Sequence, residues 1–142
     1  MDKPRAGAGA GRPGTEPDVR LARVTSDPSC IFCKIVAGEI PAEVVARTDT
    51  VLAFRDLHPQ ADTHILIVPL DHHQNVVELA AAQPEVLADL VALGSKIADE
   101  ESGGSFRLLF NTGSAVGQTV FHVHGHGLAG RFWGWAGGSA TH

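Results

Sequence analysis

The sequence predicts an antiparallel α+β domain. Short β-branched runs follow one another without helical crossovers, one long amphipathic stripe stands apart from them, and a strand-like run carries three alternate histidines. At 142 residues the chain supports one domain with its own core. It is 44% hydrophobic and 19% charged, the balance of a globular protein. A net charge of −5 and a pI near 5.8, with no basic stripe, count against a nucleic-acid partner. No apolar run has membrane-spanning length, so no membrane partner is expected.

The elements follow in order. Residues 1–28 carry prolines, glycines and mixed charge but no aromatic residue, and read as a disordered tail before a domain at 29–142. They contain no signal-peptide core, so a cytoplasmic location is expected. Cys30 and Cys33, the only cysteines, stand as Cys-x-x-Cys. In that compartment the pair reads as half of a zinc knuckle needing two further ligands. A thioredoxin-type site would follow a strand, and only the tail precedes this one.

Ile31, Phe32, Ile35 and Val36 form a short helical pattern closed by Gly38 and Pro41. Val44 to Arg47 and Val51 to Asp56 read as strands around a Thr48-Asp49-Thr50 turn, and His64 to Pro69 as a buried strand ended by proline. Pro84 to about Glu100 is the one long helix. Val86, Leu90, Leu93 and Ile97 recur at helical spacing, Pro84 suits its first turn, and Gly103-Gly104 stop it. Phe106 to Phe110 and Thr119 to His126 read as two more strands. The glycine-containing link between them, 111–118, could bring backbone N–H groups to an anion. The last segment, Arg131 to Gly138, carries two tryptophans and should pack on something.

The run Thr119-Val-Phe-His-Val-His-Gly-His126 is the most informative. In a strand, His122, His124 and His126 would share one face at a spacing of roughly 6.6 Å. Imidazole titrates near neutrality, so each can act as nucleophile, proton carrier or metal ligand. Spacing alone leaves catalysis and metal binding level.

This run resembles the signature of the histidine triad (HIT) superfamily. Ile31-Phe-Cys-Lys-Ile35, Ile40-Pro-Ala42, Phe54-Arg-Asp-Leu-His-Pro-Gln60 with Thr63-His64, and Asn111-x-Gly113 with Gly117-Gln-Thr119 are similar to the family's other landmarks. Gly130-Arg131 with Trp135 is similar to the tail of its Hint branch. The resemblance spans about residues 30–138.

It implies a five-stranded antiparallel sheet with one long and one short helix, dimerising into a continuous sheet. It also implies a purine nucleoside phosphoramidase working without a metal in catalysis. Residue by residue, His124 would be the nucleophile. His126 would contact phosphate and help protonate the amine, and His122 and His64 would orient His124. Asn111, Gln118 and Thr119 would steady the phosphate, and Asp56 would take the ribose hydroxyls. Ile31, Phe32, Ile35, Phe54 and Leu57 would line the base slot. Some members bind zinc, and here Cys30, Cys33, His72 and His122 are the candidate set, with His73 able to replace His72.

Two other activities stay open: hydrolysis of dinucleoside polyphosphates, and nucleotide sensing with incidental hydrolysis. Gly125 and Gly127 stand where the family usually has bulky apolar residues, so a thinly filled layer is expected behind the last strand.

Overall fold

The computed structural model describes residues 24–139. Most of the expected tail, residues 1–23, lies outside them. Its end is already bonded to the domain: Thr25 N–H donates to the Asp71 carboxylate at 2.9 Å, and the Thr25 carbonyl accepts from His72 N–H at 3.0 Å.

Five antiparallel strands form one sheet: β1 (Val44–Arg47), β2 (Val51–Arg55), β3 (Ala61–Pro69), β4 (Arg107–Leu109) and β5 (Gly125–Phe132). Their order is β1-β2-β3-β5-β4, which puts β3 at the centre and β4 on an edge. Among the described residues four α-helices accompany them: α1 (Ile31–Val36), α2 (Val76–Ala82), α3 (Pro84–Glu101) and α4 (Gly134–Ser139). No helix among the described residues is long and apolar enough to cross a membrane.

Each face of the sheet has its own cover. Val86, Leu90, Leu93 and Ile97 of α3 pack on Val51, Ala53, Ile65 and Ile67. The alternate residues, Leu52, Phe54, Leu66 and Val68, face the other way and pack on Phe32, Cys33 and Val36 around α1. β2 and β3 are therefore buried on both faces, which explains their unbroken apolar runs. His126 pairs with Leu66 across the β3–β5 ladder, so His64 and His126 lie on the α1 side.

The structure departs from the expected layout chiefly in two places, apart from β3 beginning at Ala61 rather than His64 and β4 being trimmed to Arg107–Leu109. It adds α2 and α4 to the long and the short helix. α2 has a reciprocal cap: the Asn75 side chain accepts from Glu78 N–H at 2.9 Å, and the Glu78 carboxylate accepts from Gln74 N–H at 2.6 Å. α4 has no propensity signal in Gly-Trp-Ala-Gly-Gly-Ser; it packs Ala136 beside Ala61 and Leu128.

The second departure concerns the triad. The strand expected at 119–126 begins at Gly125 and runs to Phe132, so only His126 lies in it. His122 and His124 precede the strand because tertiary partners capture the chain there. Val123 N–H donates to the His73 carbonyl at 2.8 Å, and the His122 ring turns into a buried cluster. The three imidazoles do not share one strand face.

The glycines of β5 behave differently from each other. A Cβ on Gly125 would lie 2.9 Å from Leu108 Cδ1 and 3.1 Å from Phe110 Cζ, so neighbouring side chains fill that space. A Cβ on Gly127 would meet nothing closer than 3.7 Å. Beneath it, Gly94, Gly127, Ile65, Ile67 and Phe106 line an apolar crevice. The expected thin layer exists only there. Gly127→Ala should raise stability by about 0.5 kcal/mol, because Ala adds contacts and restricts the unfolded chain. Gly125→Ala should lower it by about 1 kcal/mol through overpacking. Urea midpoints at unchanged slope would show both signs.

Candidate functional site

The site is built on the α1 side of the sheet, from the end of β2, the start of β3, the turn into β5 and α4. It reads most clearly as a set of imidazoles whose tautomers are fixed by their partners.

Gln60 N–H donates to His64 Nδ1 at 2.9 Å, so the neutral His64 ring must carry its proton on Nε2. That Nε2 lies 2.9 Å from His126 Nδ1 and 3.3 Å from Asp56 Oδ2. The proton is directed mainly at His126, which leaves His126 its own proton on Nε2. His124 Nδ1 lies 2.9 Å from the His122 carbonyl, which can only accept. His124 therefore holds its proton on Nδ1 and its lone pair on Nε2. The His124 and His126 rings are 5.0 Å apart. His64 meets His126 where a link to His124 was expected, and it is the main chain of His122 that meets His124.

Burial is the largest influence on these groups, and it favours neutral rings. It pushes His126 down to about 3, with help from His124 and His64. It pushes His122 down to about 4 against the pull of its bond to the Pro69 carbonyl. Burial also lowers His64, opposed by Asp56, and lowers His124, opposed by the His122 carbonyl.

The His122 ring serves another site. Its Nε2–H donates to the Pro69 carbonyl at 2.9 Å, leaving a lone pair on Nδ1. That nitrogen lies 3.5 Å from Cys30 Sγ, 3.4 Å from Cys33 Sγ and 3.3 Å from His72 Nδ1. Cys33 Sγ is 3.3 Å from His72 Nδ1, and both thiols are free. A tetrahedral zinc with bonds of about 2.0–2.1 Å to nitrogen and 2.3 Å to sulfur needs donor spacings of about 3.3–3.8 Å. The spacings from His122 to the other three donors and from Cys33 to His72 fall in that span, and all four donors lie within 4.8 Å of one another. His73 lies outside the cluster of donor atoms, which takes in His72 instead, and its Nε2 lies 2.8 Å from Gln83 Oε1.

Asp56, His64 and His126 also lie close enough to share an ion. Gln60 argues against it: an ion at His64 Nε2 would force the proton onto Nδ1, against the Gln60 N–H.

The expected nucleotide contacts divide. Phe32 and Phe54 are core residues, with ring centroids 5.6 Å apart, and Phe32 lies edge-on to His124 at 5.0 Å. Ile35 is half-buried against the same core. Ile31 and Leu57 are the exposed members. Asp56 accepts from His58 N–H at 2.8 Å through Oδ1.

Asn111 is half-buried and Thr119 exposed beside the loop. Gln118 does not fit its expected place at the phosphate. It is buried, its Oε1 accepts from Gly113 N–H at 2.9 Å, and its Nε2 donates to the Gln74 and Val120 carbonyls. It braces the loop instead.

The expected packing of the aromatic end is observed. Trp133 Nε1–H donates to the Pro59 carbonyl at 2.8 Å, and the Trp135 ring lies 5.1 Å from His126 and 5.7 Å from His64. Gly134 makes the bend with φ 56°, where a Cβ would run into Gln60 Oε1. Sequence reasoning missed the supporting carbonyls of Pro69, His73 and Gln74. Main-chain groups leave no residue signal, but Asn75-x-x-Glu78 marks the helix start that fixes this segment.

The family profile described as "HIT domain" matches residues 37–133. An Escherichia coli (strain K12) protein named purine nucleoside phosphoramidase is 42% identical over 103 residues, covering 71% of this chain and 87% of that one. A Zea mays protein named 14 kDa zinc-binding protein is 38% identical over 125 residues, covering 85% and 96%. A solved histidine triad protein from Clostridium difficile has a TM-score of 0.72 at 39% identity, covering 78% of this chain and 97% of its own.

The depressed histidines set a pH dependence. Between the unfolded value near 6.5 and the folded values of about 4 and 3, the unfolded chain binds more protons than the native one. Stability should therefore fall as pH drops from 6.5 toward 4. His126→Gln should flatten that slope by roughly one proton. Urea melts at pH 7, 5.5 and 4.5 would measure it; an unchanged slope would refute the buried neutral state.

Proposed function

The chain belongs to the HIT domain family, and on that premise we propose a nucleotide-binding hydrolase. It would cleave the P–N bond of purine nucleoside 5′-phosphoramidates through a nucleotidyl-His124 intermediate. The observation that carries this reading is the His122 carbonyl bound to His124 Nδ1, which leaves a lone pair on Nε2. The similarity to the phosphoramidase from Escherichia coli supports the same substrate class.

The reaction divides one difficult displacement into two. His124 Nε2 attacks phosphorus, a new P–N bond forms, and the bond to the amine breaks. His126, whose Nε2–H remains available, contacts the phosphate and helps protonate the amine. Burial holds His126 neutral; a bound phosphate anion would favour its protonated form, with the His64 Nε2–H turned to Asp56 Oδ2, 3.3 Å away. Water then displaces His124 from phosphorus, releasing the nucleotide and restoring the ring. His64 is a positioning residue for His126, and Asp56 would accept from the ribose hydroxyls through the carboxylate that also faces His64. Ile31 and Leu57 would offer apolar surface to the base, over a floor of Phe32, Phe54 and Ile35. Thr119 and Asn111 would meet the phosphate.

Cys30, Cys33, His72 and His122 would hold zinc, which supplies a structural cross-link between α1, the segment after β3 and the turn before β5. The edge strand β4 would pair with its counterpart in a second copy, making a homodimer with one continuous sheet. Free buried thiols suit a reducing cytoplasm.

His124→Ala should lose on the order of three decades in turnover, roughly 4 kcal/mol of barrier, with folding and nucleotide binding kept. A denaturing mass measurement after brief exposure to adenosine phosphoramidate should show one nucleotide on His124. Undiminished hydrolysis by the variant would end this assignment.

A further inference from the structure

We infer that Cys30, Cys33 and His72 are positioning residues for the nucleophile, acting through the main chain of His122. The inference deepens the reading above and rests on His124 being the nucleophile.

The path is short. The His122 ring is completely buried, with Nε2–H on the Pro69 carbonyl and Nδ1 facing Cys30, Cys33 and His72. The carbonyl of the same residue sets the tautomer of His124. A second route leaves the cluster through His72. Its neighbour His73 accepts from Val123 N–H at 2.8 Å, and the next carbonyl, Gln74, accepts from Gln118 Nε2 at 2.6 Å. Gln118 in turn holds Gly113. The His122–Val123 peptide is thus held on both sides, its N–H by the His73 carbonyl next to the cluster and its carbonyl at the residue whose ring enters the cluster, and the glycine loop is tied to the same segment.

A buried Nδ1 lone pair that loses its neighbours must find other partners or turn. Turning the His122 ring strains its bond to Pro69 and shifts the adjacent carbonyl. Without a fixed acceptor, the His124 proton can move to Nε2, the atom that must attack. Such a ring could still sit beside a phosphate yet could not bond to it. The cluster therefore acts on the chemical step rather than on nucleotide affinity.

The test uses the full chain labelled with ¹⁵N-histidine, as wild type, as wild type treated with a zinc chelator, and as His72→Gln. Ring ¹⁵N–¹H correlations report the tautomer of His124, calorimetry reports adenosine monophosphate binding, and single-turnover mixing with adenosine phosphoramidate reports transfer to His124. Opening the cluster should give mixed His124 tautomers and slow transfer roughly 10- to 100-fold, with nucleotide affinity kept. A folded His72→Gln protein with the wild-type tautomer and transfer rate would overturn the proposal. Should that variant not fold, the chelator-treated wild type below its melting temperature decides in the same way. A wild type that never takes up nucleotide refutes the phosphoramidase reading alone, because the tautomer comparison needs no substrate.

Discussion

Each imidazole around β5 has one nitrogen committed to a fixed partner, and that commitment decides what the other nitrogen can do. Carbonyl oxygens accept only and amide N–H groups donate only, so Pro69, His122 and Gln60 assign His122, His124 and His64 without ambiguity. His126 follows from His64. In water these rings would exchange tautomers freely. Here the main chain chooses for them, and burial keeps them uncharged while it does so.

The fold supplies those main-chain groups by separating two tasks across one sheet. The α3 side is apolar and carries the larger core, with Leu90 and Leu79 fully buried. The α1 side gives part of its area to a smaller core, and the remainder to His64, His126 and the segment around His122. Because successive residues of β3 alternate between these sides, Ile65 and Ile67 secure the strand while His64 works. The residue at each position need satisfy only one demand.

Much of this was legible in the residues. β-branched runs located β1 and β2 nearly to the residue and the buried half of β3, which begins three residues earlier at Ala61, and the Leu stripe located α3, because burial imposes periodicity. The Cys-x-x-Cys pair and the alternate histidines announced two chemistries. Their sharing of His122 came only with the family resemblance and not from spacing, since it depends on a turn just before β5 that local preference would have made extended. Gln118 looked available for a ligand because an amide side chain says nothing about its partners, and three main-chain groups claim it. α4 was hidden for a different reason: its glycine-rich sequence forms a helix only where Ala136 is buried beside Leu128.

The central position of β3 has a consequence for the motions available to the site. Its amides pair with β2 on one side and β5 on the other, and its side chains are covered from above and below. Exposing them to solvent deuterons means separating both layers together, so the free energy of that opening approaches that of global unfolding. His64 is thereby moored to the central strand and His126 to its neighbour β5, so neither ring can move far without parting the two layers.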